Sequence, residues 1–473
     1  MILIILSKVR SSGKKSYKMS AIIWAIFGAF LLSFGSALVI IKYATRTGKM
    51  LDKDAIKKPQ KMHFGDIPRA GGVGIFVGFC AFIAILSTLG EIEKEYIYLL
   101  IPATLIFFSG FWEDLNNSIS PKMRLFLQTI GSVCAILLFQ NCIITDIGFA
   151  LPYGFGVIFT LFCIVGVVNA INIIDGFNGL ASGCVILMMT SITIVAHLTG
   201  HNDIFYIALI IISATLGFFV LNFPRGRIFL GDGGAYFMGF LLAFLLVILT
   251  QTEINSSQNL AENQIKIAES RLDSALDCHE SLCDSRNDKF LDSANAPQIL
   301  DYAPSTHEAN SSIADEFLGL CEASDTDRTQ VHGGSEPKHS LKSRCETEFA
   351  KKSLKNAIFN SKVSAYYGLC IAIYPVFEVL FSIWRRRARK LQAMQPDCIH
   401  LHTLIFRRIT RSNAKTSAVI WMLNAPFIFL PIFFYNDTAI LIALIIIFAI
   451  SYITFYKKIT RFKRLFKADN LKV

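Results

Sequence analysis

The sequence is poor in charge. Only 17% of its 473 residues are Asp, Glu, Lys or Arg, against about 25% in ordinary soluble domains. Tryptophan is scarce as well, 4 residues against 40 phenylalanines. No tight Cys-x-x-Cys pair, no internal repeat and no convincing signal peptide occurs; the first apolar stretch is too short and precedes its charges. The shortage of charge excludes a soluble globular surface unless the apolar residues are spread evenly. The missing Cys-x-x-Cys pairs argue against zinc, and the missing repeat removes stacked-unit architectures.

What is abundant is apolar. Hydrophobic residues make up 53% of the chain, with a mean hydropathy of +0.49. They fall in blocks of about 17 to 22 residues, the length a helix needs to cross a hydrocarbon core. Eleven spans are predicted: 21–41, 71–89, 96–112, 124–140, 155–171, 179–199, 204–221, 233–250, 363–384, 415–434 and 438–456. Backbone groups in lipid must be satisfied within their own segment, and these runs do not alternate as barrel strands do. The expected class is an all-α polytopic integral membrane protein of about eleven transmembrane helices, with a large polar insert between helices 8 and 9.

Lys and Arg set the expected orientation. Segments 42–70 and 385–414 hold eight each and the tail after 456 holds seven, whereas loops 90–95, 141–154, 200–203 and 435–437 share only Lys94. The positive-inside bias then places the basic loops and the C-terminus in the cytoplasm and the N-terminus outside. The net charge of +11 reads as this bias rather than as a nucleic-acid surface. Residues 1–20 conflict, since Lys8, Arg10, Lys14, Lys15 and Lys18 would lie outside. The expectation is that 1–20 is an extension and that translation begins at Met19.

The expected organisation is helices 1–8 with their loops over 21–250, the insert over 251–362, helices 9–11 over 363–456, and a basic cytoplasmic tail over 457–473. The insert carries 19 acidic and 12 basic residues. It reads as a solvated, partly disordered extracytoplasmic segment. Its cysteines, Cys278, Cys283, Cys321 and Cys345, could form two disulfides in any of three pairings or stay as free thiols.

Polar residues near spans are costly and therefore informative. They gather on the cytoplasmic side, which suits an enzyme joining a soluble charged substrate to a lipid one; a transporter would set more ionisable groups at mid-span. Glu113 and Asp114 close the third span, where paired carboxylates can hold a hard cation or remain plain loop charges. Asn169, Asn172 and Asp175 recur at three-residue spacing on one helical face, near Gly176 and Gly179. Asp232 sits between glycines just before a span, as a metal ligand or as a helix N-cap. His400 and His402 form a His-x-His in a basic loop, open to metal, phosphate or sugar. The run Arg385–Lys390 reads first as a topology anchor.

Five motifs in order, KMHFGDIPRAGGVGI, GFWEDL with SPKMRLFLQ, NAINIIDGFNGLASG, NFPRGRIFLGDGG and DCIHLHTLIFRR, resemble the polyprenyl-phosphate N-acetylhexosamine-1-phosphate transferase family (glycosyltransferase family 4). Within it the chain resembles the branch that starts O-antigen, common-antigen and teichoic-acid synthesis. The resemblance covers about 21–250 and 363–456 and leaves out the insert. It implies a bacterial plasma-membrane enzyme that uses Mg²⁺, or Mn²⁺ in its place, to transfer a sugar-1-phosphate from a UDP-N-acetylhexosamine to undecaprenyl phosphate. It is compatible with a homodimer and calls for no nucleic acid. It implies Asp232 and Asn172 as metal ligands and Glu113, Asp114 and Asp175 as catalytic residues. Lys61, Arg69 and Arg124 would hold phosphates, and Asn178, His400 and His402 would meet the substrate. A phosphate monoester is largely dianionic near neutral pH, so direct in-line attack is expected, without a covalent enzyme intermediate. Departures from the family pattern are Glu113 for the first Asp of the acidic pair, Asn178 for the second Asp of its DGxDG, and Thr403 where a further His often stands. The nearest alternative is a phospho-MurNAc-pentapeptide transferase of the same family. It is set lower because this chain has IPRAGG in place of that branch's Thr-Pro-Thr-Met-Gly-Gly type of run.

Overall fold

The computed structural model describes residues 13–52, 66–116, 119–252, 362–388, 390 and 399–466. Lys61, residues 1–12 and the insert apart from Gln251, Thr252 and Lys362 lie outside the described residues, as do the insert cysteines and the pairings expected for them.

The described chain is helical: α1 Gly13–Thr47, α2 Gly72–Thr88, α3 Leu100–Asn116, α4 Pro121–Leu138, α5 Tyr153–Ile174, α6 Leu180–Leu198, α7 Asn202–Asn222, α8 Gly231–Gln251, α9 Ala365–Ile371, α10 Ile373–Ala388, α11 Leu401–Ile405, α12 Asn413–Phe429 and α13 Thr438–Phe466. Ten helices among the described residues are long and apolar enough to cross a membrane; α9 and α10 pass the same test together but are bent by 76°, and make eleven if the pair is one span. The chain is a multi-pass membrane protein. The break replaces the single helix expected over 363–384. Pro375 has no N–H to give to the Ile371 carbonyl, and its ring crowds the preceding turn.

α8 is the axis of the fold. Its residues from Gly233 to Thr250 are all buried, which fits a helix apolar on every face. It packs against α3 and α5, while α1 packs on α2 and α7. Outer helices turn large apolar side chains outward, among them Val39, Phe162 and Ile450, as lipid-facing surfaces do. A two-residue antiparallel pair, β1 Leu51–Asp52 with β2 Ile67–Pro68, ties the end of α1 to the start of α2.

Close approach fixes where α8 begins. A Cβ on Gly110 of α3 would lie 2.4 Å from the Asp232 carbonyl carbon, and one on Gly72 of α2 would lie 2.3 Å from the Gly234 Cα. Only glycine lets these backbones come so near. Alongside, Gly71 and Gly72 donate backbone hydrogen bonds to Phe229 and Leu230 (2.9 and 2.8 Å), and Phe229 donates to Pro68 (2.8 Å). The segment carrying Arg69 is thereby laced to the segment leading into Asp232.

Candidate active site

The N-terminus of α8 has backbone N–H groups with no partner inside the helix. Asp114, from the last turn of α3, supplies it. Its Oδ1 accepts from the Asp232 N–H and its Oδ2 from the Gly233 N–H, both at 2.9 Å. Gly231, at φ +81°, makes the turn, and a Cβ there would lie 2.6 Å from Asp114 Oδ2. Asp232 is thus not the cap of its own helix. The capping carboxylate comes from another span, and the Asp232 side chain is released for other partners.

Those partners are cations and an amide. Arg69 Nη2 donates to Asp232 Oδ1 at 2.8 Å and its Nε lies 3.3 Å from Asp114 Oδ1. Arg124, from the first turn of α4, donates to Asp232 Oδ2 at 2.6 Å and lies 3.4 Å from the Tyr236 hydroxyl. Asn172 Nδ2 donates to Asp232 Oδ1 at 3.1 Å. Burial works against the Arg69 charge, but the Asp232 and Asp114 carboxylates outweigh it and raise its pKa further. Four of the five sequence motifs therefore converge on one carboxylate.

Asp175 caps α5 beside this cluster. Its N–H donates to the Asn172 carbonyl (3.2 Å), while its carboxylate makes no direct hydrogen bond among the described residues. Burial pushes its carboxyl up to about 7; the Asp232 charge adds to the rise and Arg69 opposes it. Three aspartates thus face two guanidiniums, with one carboxylate in surplus. Among the described residues no three His, Cys, Asp or Glu side chains form a ready-made metal cage. The donor chemistry nonetheless suits a hard cation: carboxylate oxygens of Asp232 and Asp175, the Asn172 amide, and negative charge not fully offset. Mg²⁺ commonly binds through one or two carboxylates and completes its shell with phosphate oxygens and water.

The remaining expected residues divide. Glu113 has a different partner: its Oε2 accepts from the Ile119 N–H at 3.0 Å, just ahead of α4. Asn169, on the same face as Asn172, pairs one turn deeper with Gln128 of α4 (2.7 Å). Asn178 is buried; it donates to the Pro224 carbonyl (3.0 Å), and its own carbonyl accepts from Ser417 (2.8 Å). Asn222 accepts from the Gly179 N–H and donates to the Ile228 carbonyl (2.7 Å), tying the third motif to the fourth.

The histidine motif meets the turn after Asp175. His402 is buried and packs edge-on against Phe177, ring centroids 5.6 Å apart; its Nε2 would be 3.7 Å from a Cβ on Gly176. Its Nδ1 is 3.1 Å from the Tyr374 hydroxyl of α10. Burial pushes the His402 imidazolium pKa down to about 4, with Glu378 opposing and His400 adding. The rings of His400 and His402 stack at 5.3 Å. Arg385, the first residue of the run read as a topology anchor, is buried and donates to the Ile399 carbonyl (3.0 Å) and the Tyr456 hydroxyl (2.8 Å), holding the histidine segment to α10 and α13.

Comparison with known proteins agrees with these motifs. The family described as Glycosyl transferase family 4 matches residues 96–250. A phospho-N-acetylmuramoyl-pentapeptide-transferase of Streptococcus pneumoniae is 30% identical over 240 residues, 47% of this chain and 72% of the relative. A probable undecaprenyl-phosphate N-acetylglucosaminyl 1-phosphate transferase of Bacillus subtilis is 30% identical over 230 residues, 46% of this chain and 62% of the relative. With its five motifs, its bundle of spans and these relatives, the chain belongs to glycosyl transferase family 4, the polyprenyl-phosphate N-acetylhexosamine-1-phosphate transferases that its sequence resembles.

Proposed function

We propose that this protein transfers N-acetylhexosamine-1-phosphate from a UDP-sugar, UDP-GlcNAc first, to undecaprenyl phosphate, releasing UMP and starting a lipid-linked cell-envelope glycan. The observation that carries this reading is the convergence of Arg69, Asp114, Arg124 and Asn172 on Asp232. Joining two phosphates needs fixed positive charge close to where anionic oxygen develops, and fixed carboxylates to aim it. Arg69 and Arg124 supply the charge and would exchange part of their hold on Asp232 for phosphate oxygens.

Each residue has a role in this reading. Asp114 holds Asp232 and the start of α8 in place. Asp232, with Asn172 and Asp175, would hold Mg²⁺, or Mn²⁺ in its place. When bound, the ion screens the repulsion between the two phosphates and stabilises charge at the sugar-proximal phosphorus. Asp175, whose carboxylate is free of direct hydrogen bonds among the described residues, is the carboxylate best able to orient the attacking lipid phosphate, and Glu113 shapes the rim. His400 and His402 would contact the sugar nucleotide, Asn178 would keep their facing turn in shape, and Lys61 would add a phosphate contact. In this reading the basic loops favour the cytoplasmic face of a bacterial plasma membrane for this end of the bundle, on the side where UDP-sugars are made, with the insert on the other side.

The named relatives also support a second reading, transfer of phospho-MurNAc-pentapeptide. A UDP-sugar panel separates the two. Purified protein in detergent with undecaprenyl phosphate and Mg²⁺ should release UMP from UDP-GlcNAc or another UDP-N-acetylhexosamine. Release only from UDP-MurNAc-pentapeptide would select the second reading, and release from none would overturn both.

A further inference from the structure

α10 carries a carboxylate that no motif accounts for. Glu378 is fully buried, at 0% exposure, within the bent apolar helix pair α9–α10. A charge in that position is costly unless every lone pair is used. Here the carboxylate accepts three hydrogen bonds: from His400 Nδ1 (2.9 Å), from the Leu401 backbone N–H (3.0 Å), and from the Tyr452 hydroxyl of α13. Two come from the histidine segment itself. One turn earlier on the same face of α10, the Tyr374 hydroxyl meets His402 Nδ1. One helix face therefore holds the Nδ1 atom of both histidines, with the rings stacked 6° from parallel.

A carboxylate can only accept, so the nitrogen facing it must carry the proton. That fixes the His400 ring: Nδ1–H points at Glu378 and Nε2 is left for a ligand. The second partner of an imidazole sets its tautomer and orientation. The helix that carries this face begins at the bend of 76° between α9 and α10.

We propose that Glu378 is the positioning residue of the histidine pair, fixing the Nδ1–H tautomer of His400 and the register of the histidine segment so that the Nε2 edge is presented to the nucleotide-sugar diphosphate. The functional half of this statement rests on the reading above; the structural half does not.

Two measurements test it. Nitrogen-15 NMR of histidine-labelled protein, with His400→Asn to assign the signal, should show His400 Nδ1 protonated and should show that pattern lost in Glu378→Gln. In steady-state UMP release, Glu378→Gln should raise the KM for the UDP-sugar about tenfold, the scale on which such partners of functional histidines act, while leaving the KM for undecaprenyl phosphate within twofold. In a His400→Ala background the same substitution should change turnover less than about twofold, because two residues acting as one unit do not add. A purely structural role would instead lower kcat equally toward both substrates and add in full in the second background. Glu378→Asp, which keeps the charge on a shorter arm, should recover part of the KM. An unchanged His400 nitrogen spectrum in Glu378→Gln, or full additivity with His400→Ala, overturns the proposal. Should the wild type release no UMP, the transferase reading fails while the NMR comparison still decides the positioning.

Discussion

Asp114 and Asp232 meet side chain to backbone: the carboxylate at the end of α3 accepts the Asp232 and Gly233 N–H groups that open α8. One acidic residue thereby aims another. Asp114→Ala should leave two buried N–H groups and Arg69 short of a partner. Breaking such a buried charged network costs about 3 kcal/mol or more. Asp114→Asn keeps one acceptor oxygen and should lose less. Thermal unfolding in detergent should rank wild type above Asp114→Asn above Asp114→Ala. Both variants should lose most turnover even where folded, since Asp232 is no longer aimed. Wild-type melting in Asp114→Ala would remove the capping role.

The same junction predicts a contrast between two glycines. At Gly110 a Cβ would sit 2.4 Å from the Asp232 backbone, which has no side chain to swing aside; at Gly166 on α5 nothing lies within 4 Å. Gly110→Ala should force α3 from α8 and destabilise by about 1–3 kcal/mol, with turnover falling in step. Gly166→Ala should be neutral or stabilise by up to about 1 kcal/mol through helix propensity. Equal melting of the two variants would show that the close approach does not constrain the site.

Much of this junction was legible in the sequence, and the reason is physical. Asp175, Asp232 and the arginines stand at helix ends, where a charge beside a long apolar run is conspicuous. Asn172 was found through its spacing from Asp175. The role of Asp114 as a cap for a distant helix was not legible, because its partners are backbone groups more than a hundred residues away. Gln128, through one bond to Asn169, and Asn222, through its bonds to Gly179 and Ile228, likewise carry no spacing signature. Glu378 did leave a signal, a lone carboxylate inside an apolar span, and the cost of that placement could have found it. The break at Ala372 could have been read from Pro375.

The proposed Mg²⁺ or Mn²⁺ beside the surplus carboxylate predicts a metal requirement. Chelation with EDTA should abolish UMP release, and excess Mg²⁺ or Mn²⁺ should restore it. Asp232→Ala should remain inactive at any metal concentration, because the arginines lose their anchor together with the ion. Asp175→Asn should shift the metal requirement upward and lower kcat by at least about tenfold, the scale on which a single positioned charged group contributes. Full turnover of Asp232→Ala in the presence of EDTA would remove the ion from the reaction.

His402 ties stability to pH. Its folded-state value of about 4 lies below the ordinary 6.5 because the ring is buried. Between those values the unfolded chain holds a proton that the folded chain does not. The stabilisation is therefore present in full above pH 6.5 and is lost as pH falls toward 4, on the order of 3 kcal/mol across the window. Melting temperatures taken from pH 7.5 down to 4.5 should fall, and His402→Gln should flatten that part of the decline. A wild-type curve that is level through the window, or a variant curve of the same slope, would show that burial of His402 does not govern it.

The two ends of the insert return to one loop. Gln251, where α8 stops, accepts from the Thr145 and Asp146 N–H groups (2.9 and 3.1 Å) and donates to the Asp146 carbonyl (3.1 Å). Lys362, where the described chain resumes, pairs with the Asp146 carboxylate at 2.6 Å, and that contact holds the Asp146 carboxyl below its ordinary range. Both stems thus end on Asp146, a short step apart, on the far end of α8 from Asp232. A flexible linker of about ten residues has a root-mean-square reach near 18 Å and can bridge such ends without moving α8 or α9. Replacing 253–361 by such a linker should leave UMP release within about twofold of wild type and the melting temperature nearly unchanged. Lys362→Met should matter little, since an ion pair this exposed contributes about 1 kcal/mol or less. Loss of turnover in the linker variant with normal melting would mean that the insert acts on the site from the opposite end of α8, through a route the Asp146 clasp does not explain.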